Sequence, residues 1–269
     1  MLLEQISSPQ DIRRMDPAQL AQLAEEIRAF VVDAVNASPS GGHLGSNLGV
    51  VELTLALHRS FHSPHDVILW DTGHQAYVHK LLTGRREGFS TLRQAGGMSG
   101  YPSRAESEHD WIENSHASTV LSYAQGMATA LELSGGPKRH VVAVVGDGAM
   151  TGGMAFEGLN NLGHSGRRVI TILNDNGRSY APTASRLGDS LVKLRAHPMY
   201  RRNTARIERV VRDLPGGEVL GRGWDSATHA LRDMFEPPAF FEDLGVAYLG
   251  PLDGHDIDAL ERALAAAKE

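Results

Sequence analysis

Two short segments hold residues whose types suit metal and phosphate chemistry. Asp147 lies in Gly146-Asp147-Gly148, and Asn176 closes Asn174-Asp175-Asn176. A carboxylate and a side-chain amide are hard oxygen donors, so the two side by side suit a divalent ion such as Mg²⁺. The backbone N–H groups of Gly148 and Ala149, at the start of a helix, suit the phosphate oxygens that such an ion would bridge. Gly-Asp-Gly alone is ordinary strand-to-helix connection chemistry. The asparagine at the end of the next strand makes the pattern specific.

That pairing requires particular elements. Val141 to Val145 and Val169 to Leu173 are apolar runs of the kind a parallel sheet buried on both faces demands, and a helix from about Gly152 to Leu162 makes the crossover. Both strands then end on one edge of the sheet, where open α/β proteins bind ligands. A third short strand, Val67 to Trp70, ends in Asp71-Thr72-Gly73-His74-Gln75. Asp71 or Thr72 can simply cap the helix that follows with Tyr77, Leu81 and Leu82. The place of His74 at the end of a parallel strand favours a ligand role.

Two more histidines fall in comparable settings. His43 is enclosed by glycines between Ser40 and Gly49, a run that brings backbone close to a ligand, whereas a lone histidine elsewhere is more often structural. His116 lies in Asn114-Ser115-His116-Ala117-Ser118, with Ser115 as the expected N-cap of a helix lined by Ala117, Ala124, Gly126, Ala128 and Ala130.

The remaining elements read as packing. Asp16-Pro17 opens an amphipathic helix to about Val35, and a second helix runs from about Val50 to Ser60. From Gly84 to Asn114 the chain is polar and glycine-broken; Glu106, Glu108, His109 and Asp110 read as an acidic solvated loop rather than a metal cluster. Residues from about 183 to 237 read as a helical insertion outside the main sheet, whose arginines belong on solvated helix faces. A short strand, Val246 to Leu249, is expected before a closing helix from about Ile257 to Ala267 capped by Asp256, with His255 structural.

Composition excludes several classes. At 269 residues and 41% hydrophobic content the chain can bury a sizeable core. Its formal charge of −6 leaves no electrostatic footprint for nucleic acid. Cysteine is absent, which rules out disulfides, thiolate metal sites and cysteine nucleophiles, and fits a reducing cytoplasm. No apolar run approaches a membrane span and the N-terminus carries no basic targeting segment, so the expectation is a soluble cytoplasmic protein without a membrane partner.

Taken together, Gly41-Gly42-His43-Leu44, the Trp70 to Tyr77 segment, Glu106-Ser107-Glu108-His109-Asp110, Ser115-His116-Ala117-Ser118, Gly146-Asp147-Gly148 and Asn174-Asp175-Asn176 resemble the 1-deoxy-D-xylulose-5-phosphate synthases, a transketolase-like family. The match spans nearly the whole chain in order. It implies a three-layer, thiamine-diphosphate-binding α/β fold with a mostly parallel sheet and helices on both faces. It also implies condensation of pyruvate with glyceraldehyde 3-phosphate to 1-deoxy-D-xylulose 5-phosphate and CO₂, for isoprenoid and thiamine synthesis. The implied cofactors are thiamine diphosphate and Mg²⁺, the metal held by Asp147, Asn176 and the Arg178 carbonyl. By resemblance His74, Ser115, His116, Ala117, Gly148, Ala149 and Asn176 line the cofactor, and His43 and His74 act on substrate oxygens or protons, a task suited to a group titrating near neutrality.

Ser115 stands where the family often has glycine, and Gly177 where an acidic residue is common, departures that bear on loop geometry and substrate preference. The family's pyrimidine-binding second domain, its third domain and the last strand of its first domain have no counterpart in these residues. The expectation is therefore a shortened, cleaved or degenerate form that is inactive alone, needs a pyrimidine-binding domain or partner chain, and belongs to a homodimer in the full enzyme. The alternatives are one subunit of a split transketolase-like enzyme with another substrate, or a non-catalytic cofactor-binding module.

Overall fold

The computed structural model describes residues 1–176 and 238–269. The predicted insertion at about 183–237 and Arg178 lie outside the described residues. The chain divides into two compact units, Met1–Asn176 with Leu249–Glu269, and Gly177–Tyr248.

In the first unit, helix α1 (Pro17–Ala37) is started by a capping box. The Asp16 carboxylate accepts from Gln19 N–H at 2.9 Å, and the Gln19 side chain accepts from Asp16 N–H at 3.0 Å, satisfying two otherwise orphaned donors. Helix α2 (Leu44–Leu48) and helix α3 (Val51–Ser60) lead into strand β1 (Val67–Trp70), followed by helix α4 (Tyr77–Leu82), helix α5 (Val120–Ser134), strand β2 (Val141–Gly146), helix α6 (Gly153–Ser165) and strand β3 (Val169–Asn174). The second unit contributes helix α7 (Pro238–Asp243), and the first resumes with helix α8 (Ile257–Ala267).

The three described strands form a parallel sheet in the order β1-β2-β3, with Trp70 opposite Val144 and Gly146 opposite Asn174. Side chains alternate between faces, so this register puts Ile68, Trp70, Val142, Val144, Ile170 and Ile172 on one side. Leu53, Leu57 and Phe61 from and beside α3, and Leu260 and Leu264 from α8, cover that face. Helix α5 packs against all three strands and α6 packs on α5. A parallel sheet needs such helical cover because its crossovers leave no face to water. A second core joins α1, α3 and α4 through Leu23, Ile27, Val31, Leu55, Tyr77 and Leu81. The closing helix behaves as its sequence predicts: Asp256 accepts from Ala259 N–H at 2.9 Å, and His255 Nδ1 meets Glu52 Oε2 at 2.9 Å, a tie between loop and α3 that makes His255 structural.

Three local expectations are corrected. Ser115 is not an N-cap: α5 begins at Val120, and residues 115–119 form a turn held by Asn114, whose Oδ1 accepts from His116 N–H at 2.9 Å. Among the described residues no strand forms at Val246–Leu249, because extended backbone becomes a strand only where a neighbour takes up its hydrogen bonds.

The third concerns the 106–110 segment, which is not a solvated acidic loop. Asp110 is buried and receives Arg85 NH1 at 2.5 Å, Arg85 NH2 at 2.9 Å, Ser103 N–H at 2.7 Å and His79 Nε2 at 2.9 Å. Glu106 pairs with the buried Lys80 and accepts from Ser99 N–H at 2.6 Å. The loop wraps around its carboxylates because the cations that neutralise them sit on and just after α4. Among the described residues no group of three or more His, Cys, Asp or Glu is poised for a metal.

Candidate functional site

The strand tips carry the candidate site. Asp147 follows the last residue of β2, and its N–H donates to the Asn174 carbonyl at 3.1 Å, extending the ladder beyond Gly146. Asn176 lies two residues past that acceptor. Asp147 and Asn176 therefore leave the same edge of the sheet from adjacent strands, as a two-oxygen donor set requires. Gly148 and Ala149 follow in a 3₁₀ turn (Ala149–Thr151) closed by Thr151, whose hydroxyl donates to the Gly148 carbonyl at 2.7 Å. α6 then starts at Gly153 behind an extended Gly152. The donor set is hard, oxygen-only and beside main chain that turns into a helix, which fits a magnesium-bridged diphosphate.

His74 and His43 flank this edge from the β1 side. Their rings meet edge to face with centroids 5.2 Å apart. His43 precedes α2 and His74 lies in the turn after β1, and one residue that sequence reasoning passed over, Asn47, holds both. Fully buried, Asn47 donates through Nδ2 to the His43 carbonyl at 2.6 Å and the His74 carbonyl at 2.8 Å, and accepts from Tyr77 N–H at 2.8 Å. Its only signal was its place in the glycine run beside His43.

Burial pushes the His43 imidazole below its ordinary value, with the Arg93 guanidinium adding to the effect. Burial likewise lowers His74, helped by His43 and opposed by Asp71. Both rings are thus held neutral near pH 7. His74 Nδ1 is buried without a hydrogen-bond partner among the described residues. Buried polar atoms are normally paired, so this orphan ring nitrogen is suited to a polar ligand.

The 115–118 turn approaches from the front of α5. Ser115 and His116 are exposed and Ala117 follows them; Ser118 ties the turn to the β2 loop by donating from its hydroxyl to the Ala149 carbonyl at 2.6 Å. The predicted cofactor-lining residues after β1, before α5 and after β2 thus fall on neighbouring loops of one sheet edge. Arg178, the third expected metal ligand, lies outside the described residues.

Layered helices over a parallel sheet, with an acid–amide pair at adjacent strand tips, define an α/β fold of the transketolase class. Solved structures agree at the level of fold: a transketolase from Leishmania mexicana and a transketolase variant from Pichia stipitis each superpose with a TM-score of 0.63 at 18% identity, over 93% of this chain and 34% of theirs. The chain belongs to the 1-deoxy-D-xylulose-5-phosphate synthase family, whose N-terminal-domain model matches residues 3–269. Synthases of that name from Mycobacterium ulcerans and Mycobacterium avium are 56% and 57% identical over 99% and 98% of this chain. The chain spans 42% and 41% of the length of those relatives.

Proposed function

We propose that this chain supplies the diphosphate and metal half of a thiamine diphosphate site in the condensation of pyruvate with glyceraldehyde 3-phosphate to 1-deoxy-D-xylulose 5-phosphate and CO₂. The observation that carries this reading is the emergence of Asp147 and Asn176 from adjacent tips of one parallel sheet, the second strand tip locked to the first by the Asp147 N–H to Asn174 bond. Thiamine diphosphate, when bound, supplies a carbanion centre and an electron sink for decarboxylation.

Asp147 and Asn176 hold Mg²⁺ through oxygen, and the Gly148 and Ala149 N–H groups take diphosphate oxygens. Ser115, His116 and Ala117 line the cofactor from the neighbouring loop. His43 and His74, neutral at working pH, hydrogen-bond substrate oxygens and move protons at their ring nitrogens; His74 Nδ1, buried and unpaired, is free to do so. A pyrimidine-binding domain or partner chain completes the site, and the reading extends to a cytoplasmic homodimer serving isoprenoid and thiamine synthesis.

The test is reconstitution. Adding a pyrimidine-binding partner chain with thiamine diphosphate and Mg²⁺ should produce CO₂ from pyruvate, accelerated by glyceraldehyde 3-phosphate. Turnover with a different acyl donor or ketose would favour a split transketolase-like enzyme. Cofactor binding without turnover under any reconstitution would favour a binding module.

A further inference from the structure

One carboxylate and one hydroxyl connect three loops of the sheet edge. Asp71, buried at the tip of β1, donates its own N–H to the Val144 carbonyl of β2 at 2.8 Å, so its position is fixed by the sheet. Its carboxylate reaches forward. Oδ1 accepts from Ser118 N–H at 2.9 Å and Oδ2 from Val120 N–H at 3.0 Å, capping α5 from a distant part of the chain. Ser118 then donates from its hydroxyl to the Ala149 carbonyl at 2.6 Å, which also accepts from Gly152 N–H at 3.3 Å.

The fit around that hydroxyl is close. A Cβ on Gly152 would overlap it. Ser118 holds φ at 72° and Thr72, beside Asp71, holds 59°, left-handed conformations that cost non-glycine residues free energy and persist where surroundings over-determine them. A serine kept there, where glycine would be conformationally cheaper, points to the hydroxyl as the reason.

We propose that Asp71 and Ser118 are positioning residues for the diphosphate loop: Asp71 fixes the 115–118 turn to the sheet, and the Ser118 hydroxyl holds the Ala149–Met150 peptide, which directly follows the Gly148 and Ala149 N–H groups and anchors their turn from behind. This inference rests on the thiamine diphosphate reading above. Neither residue need touch the cofactor. Their effect passes through the Ala149 carbonyl, whose orientation fixes the plane of the following peptide and restrains the turn before it.

Calorimetry of thiamine diphosphate with Mg²⁺ tests it, alongside urea unfolding of each variant. Ser118→Gly relieves the left-handed backbone while deleting the hydroxyl, so folding stability should hold or rise while affinity falls about tenfold, the scale of one hydrogen bond. Gly152→Ala, which displaces the hydroxyl, should weaken binding similarly. The double variant should bind no worse than the weaker single one, because both changes remove the same bond. Unchanged affinity in Ser118→Gly, or losses that simply multiply in the double variant, overturns the positioning role and leaves the cofactor reading standing. No binding by the unaltered chain, alone or with a pyrimidine-binding partner, overturns both.

Discussion

The imidazoles of His43 and His74 meet edge to face, 5.2 Å between centroids, with the main chains of both held by the amide of one buried asparagine. Among the described residues, neither ring is placed by side-chain hydrogen bonds of its own. Their separation is set by backbone, so anything that loosens the backbone should be felt in catalysis.

Asn47→Ala tests that directly. It leaves two carbonyls and the Tyr77 N–H without their partner in a buried place, at about 1–3 kcal/mol of stability. In the reconstituted enzyme kcat should fall while the thiamine diphosphate affinity changes little, since the diphosphate loops lie elsewhere on the edge. A loss of stability with kcat intact would make Asn47 a packing residue only.

His43→Ala should lower CO₂ release by about 10²–10⁴-fold, the usual contribution of a positioned acid or base. Because burial lowers both imidazoles below 6.5, protonating them takes a pH below the ordinary histidine value. The activity that depends on their neutral forms should therefore persist past pH 6.5 on acidification and be lost only further down. A rate profile with its acid limb above 6.5 would contradict the assignment.

Stability should carry its own pH signature from the buried chain His58, His79 and Asp110. Asp110 accepts only, so His79 Nε2 donates to it; His79 Nδ1 then accepts from His58 Nε2 at 2.9 Å, leaving His58 Nδ1 bare and unpaired. Burial, with the Arg13 and Arg85 charges among the contributors, holds His58 well below 6.5 in the folded state. The unfolded chain takes up this proton first, so stability is full above pH 6.5 and is lost as pH falls from 6.5 toward the folded value. Urea midpoints should drop on acidification across that range, and His58→Phe should flatten the drop.

Asp110→Ala should be more severe. Burial alone would raise the Asp110 carboxyl, but the His79 and Arg85 hydrogen bonds hold it well below the usual range, and removing it leaves Arg85 without its principal partner. The expected cost is about 3–5 kcal/mol in urea unfolding.

This network shows where sequence reading reached its limit. Gly146-Asp147-Gly148 with its flanking strands was legible because the strand pattern, the glycine turn and the crossover helix are all local. Glu106 and Asp110 read as solvated because their own neighbourhood is polar, while Lys80 and Arg85, which neutralise them, come from another segment. Ser115 carried a local cap signal, yet the side chain capping α5 is Asp71, brought there only when β1 packs beside β2. Val246 to Leu249 had the apolar content of a strand, and content does not supply a ladder partner.

The central claim is that Asp147 and Asn176 share one ion on a diphosphate. Its most direct test is calorimetric titration of thiamine diphosphate into the chain with and without Mg²⁺, repeated with Asp147→Ala. Binding should require the metal, and the substitution should weaken it on the order of 100-fold. Equal affinity without Mg²⁺, or undiminished metal-dependent binding by Asp147→Ala, would contradict the account.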